Sequence, residues 1–141
     1  MTPDPFDLKT RCDAIEECYE FMLAYAAQGV LDEAGSQSAA QLRTLLARAE
    51  AALIGLADAF REVVARDRLE PAEKYIAFLR VLDRDGGDAL AAFQLVIAQP
   101  SISSQTIDNL NASIHVRAML TDLFLIDEIL KSRSRNVEAG L

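Results

Sequence analysis

The sequence predicts an all-α fold: a four-helix-bundle-like, up-down arrangement of five helices. Three observations carry that expectation. Between Ser38 and Arg66 apolar residues recur every three or four positions, which is the helical repeat. No stretch alternates apolar and polar residues around a hairpin turn, as paired strands would. Ala and Leu, both strong helix formers, dominate a chain that is 51% hydrophobic but only 6% aromatic, with no Trp.

The first helix is expected over residues 5–28. Asp4 can cap free amides, Pro5 suits the first helical position, and Asp7 favours the positive helix end. Leu8, Cys12, Ile15, Tyr19, Met22 and Ala26 form a heptad-like stripe, and Gly29 is a stop. From Phe21 to Ala27 the helix is apolar nearly all round, more than one seam needs.

Val30 to Gln37 reads as a connector. The second helix, 38–67, starts on a capping box made by Ser38 and Gln41. Leu42, Leu45, Ala49, Ala52, Leu56, Phe60 and Val63 share one face, and Gly55 is the only weak helix former inside it. At about 1.5 Å per residue this helix would be on the order of 40 Å long, and other helices have to cover its stripe. Pro71 restricts the residue before it and opens a third helix, 71–84, with Tyr75, Ile76, Phe78, Leu79 and Leu82 on its buried side.

Gly86-Gly87 is the strongest internal break signal. It lacks the strand and Lys that a phosphate-cradling loop uses, so a polar corner is expected. A short fourth helix, 88–98, follows. The fifth, 103–132, is capped by Ser103 or Ser104 and is apolar on all sides in its second half. Residues 1–132 are thus expected to form one helical domain, with 133–141 as a flexible tail.

Net charge is −8. Lys131, Arg133 and Arg135 against Glu138 give the end +2, leaving −10 on residues 1–130. Such a body repels phosphate backbones and acidic lipid surfaces, so neither nucleic acid nor a membrane is an expected partner. Cys12 and Cys18, six helical residues apart, project about 120° from each other and differ by about 9 Å in rise, beyond disulfide reach. With no signal-peptide pattern and no apolar stretch of spanning length free of charges, a reducing, cytoplasmic setting fits.

Catalytic sets are sparse. His115 is the only histidine. Paired Glu-x-x-His metal ligation fails because Ala112 stands three residues before it. A zinc site needs about four ligands, usually Cys and His. Histidine phosphotransfer modules have Lys then Gly three and four residues after the reactive His, where this chain has Ala118 and Met119. No Gly-x-Ser-x-Gly elbow occurs. Glu16 and Glu20 share a helix face and read as a solvated edge. No catalytic residue, metal or cofactor is therefore expected.

The surplus apolar surface on the first and last helices points to a homodimer, since obligate interfaces resemble a core cut in two. Phe21, Leu23, Leu123, Phe124, Ile126 and Leu130 are the candidate interface. The expected function is non-enzymatic: a helical homodimer acting on another protein as an adaptor, regulator or dedicated chaperone. The first alternative is a sensor or carrier of a small apolar molecule, with Tyr19, Met22, Tyr25 and His115 lining a pocket between helices; a histidine phosphotransfer or metal-binding bundle ranks below it.

Overall fold

A computed structural model describes residues 7–33, 36–138 and 140. Among them the chain is all-α, with no strand and with six helices rather than the expected five. They are α1 (Leu8–Gln28), α2 (Gln37–Leu53), α3 (Leu56–Arg66), α4 (Ala72–Ile97), α5 (Ser104–Ala112) and α6 (Ile114–Glu138). α1 packs on α2 and α5, α4 on α2, α3 and α6, and one apolar core runs through them.

α1 begins one turn later than its cap signal implies. Asp7, in extended conformation, accepts from the Thr10 amide at 2.7 Å; the expected cap Asp4 and first residue Pro5 lie outside the described residues. Cys12, Ile15, Cys18, Met22 and Tyr25 turn inward at spacings of three and four. Gly29 closes the helix at φ +69°, the left-handed conformation that favours glycine. α2 is capped by Ser36, which accepts from Ala39 at 3.1 Å, and not by Ser38, which is the second residue of the helix.

The expected helix 38–67 is two helices. It breaks at Ile54-Gly55, where Gly55 takes φ +83°. The cause is tertiary. The Arg11 guanidinium of α1 donates to the carbonyls at the end of α2, including Ala52 at 3.0 Å, and satisfies groups that a continuous helix would use itself. A Cβ on residue 55 would come within 3.5 Å of that guanidinium.

The expected helices 71–84 and 88–98 are one. α4 runs straight through Gly86-Gly87. Leu79, Leu82, Gly86, Ala89, Phe93 and Val96 make an unbroken inward stripe across the pair. Packing on both sides outweighs a glycine penalty of about 1 kcal/mol each.

The expected helix 103–132 is broken in turn at Ser113, which leaves the helical conformation at ψ 130°. Its Oγ accepts from the His115 amide at 3.3 Å and starts α6 afresh. α6 then continues past Ser132 to Glu138, through most of the segment expected to be a tail.

Polar contacts stitch the loops at one end of the bundle. Arg43 of α2 binds Glu33 through two nitrogens, at 2.8 and 2.6 Å, and donates to the carbonyls of Ile97, which ends α4, and Gln99 just after it. Glu33 also accepts from the Ile102 amide. Tyr25 Oη donates to the Ile102 carbonyl at 2.6 Å. The α1–α2 and α4–α5 loops are thereby tied across about 70 residues of chain.

Candidate functional site

Two places concentrate reactive side chains. The first is the seam between α4 and α6. His115 stands in the first turn of α6, over half exposed, with Nδ1 4.0 Å from Asp88 Oδ2. Three residues earlier on α4, Asp85 meets Asp122, seven residues on from His115 along α6. Burial, the hydrogen bond with Asp85 and the Asp85 charge push the Asp122 carboxyl up to about 7. One Asp122 oxygen is enclosed and meets no donor. Both amide atoms of Asn111, at the end of α5, are enclosed in the same way.

What this seam can do is hold a shared proton. Two carboxylates brought together cannot both ionise at low cost. It offers a phosphoryl group little, because the Asp88 carboxylate facing His115 would oppose the incoming charge.

The second place is an open cleft of about 1300 Å³ between the first half of α1 and α3 on one side and the last half of α6 on the other. Leu8, Cys12, Val63, Leu69 and Leu130 line it, beneath a rim of charge. α1 supplies Lys9, Asp13 and Glu16; α3 supplies Glu62 and Arg66; α6 supplies Asp127, Lys131, Arg133 and Arg135. The ion pairs made there are local ones. Lys9 binds Asp13 at 3.0 Å, Lys131 binds Asp127 at 2.9 Å, and Arg66 binds Asp67 at 2.9 Å. Burial, then the Asp127 carboxylate, hold Glu16 above its usual range.

Cys12, at the cleft floor, and Cys18 are both free and buried. Burial pushes each thiol up to about 12, so neither is an activated nucleophile. Among the described residues no three His, Cys, Asp or Glu side chains gather as a metal cluster. A smaller cavity of about 210 Å³ lies where the α2–α3 break faces Gly86 and Gly87.

The residues expected to line a ligand pocket are placed apart. Met22 and Tyr25 are fully enclosed in the core, and Tyr19 packs against it half-buried. His115 stands outside that core against Asp88. None of the four lines either cavity.

The candidate interface residues divide. Leu123 and Ile126 are core residues, at 0% and 2% exposure, and have no free surface to offer a partner. They sit on the inward stripe of α6, which the amino-acid pattern alone could not tell from its outer one. Phe21 and Leu130 are half-buried against the core, while Leu23 and Phe124 are exposed.

Sequence reasoning missed the Asp85–Asp122 pair and the cleft. Asp85 carried only a corner signal beside Gly86, and nothing local in either aspartate announces the other. No protein-family model, no curated protein and no solved structure matches this chain.

Proposed function

We propose that this protein is a non-enzymatic helical bundle that works by docking protein surfaces, first of all a second copy of itself, in a reducing cytoplasmic setting. As such a homodimer it would serve as an adaptor, regulator or dedicated chaperone. The observation that carries the reading is the apolar surface left on the outer helices. Leu23 on α1 is 49% exposed and Phe124 on α6 is 42% exposed, beside an unfilled cleft between the same two helices. Leu125 and Ile129 add to the exposed apolar surface of α6. Contiguous exposed apolar patches mark interaction surfaces. Two buried, unpaired cysteines suit a reducing compartment, and no helix among the described residues is long and apolar enough to cross a membrane.

Sedimentation velocity tests the reading. The wild type is expected at twice the mass of one chain. Leu23→Glu with Phe124→Glu is expected to give a folded monomer. A wild type that stays monomeric as its concentration is raised overturns it.

Histidine phosphotransfer is the second reading, because it requires an exposed His115 and the imidazole is over half exposed. Asp88 beside it is the feature that ranks this reading lower. Labelling with a small phosphodonor, compared with His115→Gln, separates the two.

A further inference from the structure

We propose that the α1–α6 cleft is the surface on which two copies of this chain meet, the basic end of each α6 lying on the acidic edge of the other copy's α1. This rests on the self-association proposed above and adds which surfaces are exchanged.

The cleft lies between α1, α3 and α6, on the part of the bundle that α5 does not cover. The beginning of α1 lies across it from the end of α6, so the two helices run past each other in opposite directions with a gap of about 1300 Å³ between them. Its floor is apolar, and the apolar surface continues beyond it. On α1, Cys12 and Glu16 line the cleft, and Leu23 lies on the same stripe seven residues past Glu16. On α6, Asp127 and Lys131 line it, and Phe124 lies on the same stripe three residues before Asp127. Leu23 and Phe124 are exposed on a single copy.

Charge selects the occupant. Asp13, Glu16 and Glu20 set three carboxylates along one edge of α1. Of the cations of that helix, Lys9 pairs with Asp13 and leaves Glu16 and Glu20, while Arg11 is turned onto the carbonyls of α2. Lys131, Arg133 and Arg135 crowd the end of α6 in a chain that is otherwise strongly acidic. The pairs they make at home, Lys131–Asp127 and Arg135–Glu128, lie within α6; Asp127 is only 19% exposed, whereas both partners of Arg135–Glu128 are exposed. A pair exposed on both sides, as Arg135–Glu128 is, contributes little and exchanges readily.

The chain therefore carries both halves of a complementary surface. A two-fold axis brings each half onto the other twice, which is what an isologous interface requires. It would also cover the apolar floor and both exposed side chains.

Charge reversal tests the exchange by sedimentation velocity. One variant carries Lys131→Glu and Arg135→Glu; the other carries Glu16→Lys and Glu20→Lys. Each alone opposes like charges at both contacts and is expected to weaken the dimer on the order of tenfold or more. Mixed one to one, they are expected to recover a dimer, because every contact is then complementary again. Circular dichroism confirms that each variant folds. If the Glu16 substitution does not fold, Asp13→Lys with Glu20→Lys, both at exposed positions, replaces it.

A monomeric wild type overturns this inference and the self-association reading together. A wild-type dimer that neither reversal weakens overturns the exchange and leaves self-association through another face. Variants that become monomers but fail to pair on mixing also overturn the exchange, because the charges then act within one chain.

Discussion

The hydroxyl of Ser104 and the backbone carbonyl of Tyr25, 79 residues apart in sequence, meet at 2.6 Å inside the bundle. The same hydroxyl accepts from the Val30 amide at 2.8 Å, and the Ser104 amide donates to the Val30 carbonyl at 2.8 Å. One serine thus serves the C-terminal end of α1 from the first turn of α5. It takes up a carbonyl near the helix C-terminus and the amide just beyond it, both of which α1 cannot satisfy itself.

Ser104→Ala is therefore expected to cost about 2–3 kcal/mol, since two backbone groups lose their partner in a buried place. Ser101, whose hydroxyl meets Asp32 and the Glu33 amide in solvent, provides the contrast. Ser101→Ala is expected to stay within about 0.5 kcal/mol of wild type. Urea denaturation of the two variants checks the difference.

The glycines divide into two kinds. A Cβ at Gly86 or Gly87 meets nothing within 4 Å, and both residues are helical. Gly86→Ala and Gly87→Ala are each expected to stabilise by about 0.5–1 kcal/mol, by restricting the unfolded chain and favouring helix. Gly55→Ala is expected to destabilise, because alanine resists φ +83°. Thermal melts of the three variants should move in these opposite directions.

The Asp122 carboxyl sets a pH dependence with a definite sign. Its folded value, pushed to about 7, lies above the usual 3.8 of an aspartate. The folded state therefore holds a proton that the unfolded state releases between those values. The destabilisation from this group is full above pH 7 and is relieved as pH falls through 7 towards 4. Asp122→Asn, which cannot ionise, is expected to be more stable than wild type at pH 8, with the gap closing by pH 5. Denaturant midpoints of both proteins measured across that range test it.

Carboxylates such as Glu33, held below their usual range by hydrogen bonds from Arg43, act with the opposite sign and only at lower pH. Arg43→Ala is accordingly expected to destabilise at neutral pH by more than it does in acid, with the difference shrinking as Glu33 becomes protonated.

Cys12 and Cys18 are expected to react slowly with a thiol reagent at pH 8 while the chain is folded. Burial both hides them and holds them as thiols. Adding urea should release both at once, and the rate of labelling below the unfolding midpoint reports opening of α1.

The all-α class was legible from periodicity, because helical spacing of apolar residues is a local property. Cys12, Ile15, Met22, Leu42, Leu45, Ala49, Ala52, Leu56 and Phe60 lie on the stripes that the spacing predicts and are in the core, whereas Ile76, expected on the buried side of its helix, is exposed. Helix continuity was not legible. A single Gly55 ends a helix while Gly86-Gly87 does not, which reverses the ranking that local propensity assigns. The deciding partner of Gly55 is Arg11, more than forty residues earlier. Gly86-Gly87 is instead held by apolar residues to either side of it.

The candidate site divides along the same line. That Leu23 and Phe124 lie on apolar helices could be read from the chain. That they remain exposed while Leu123 and Ile126 are enclosed could not, because a helix apolar on all sides carries no mark of its inner face. The Asp85–Asp122 pair and the α1–α6 cleft likewise arise only when distant segments meet. Residue order settled which segments are helical, since each turn is stabilised by neighbours three and four positions away. Tertiary packing decided where those helices stop, which carboxylate keeps its proton and which oily faces stay open, since each depends on atoms that come close only in space.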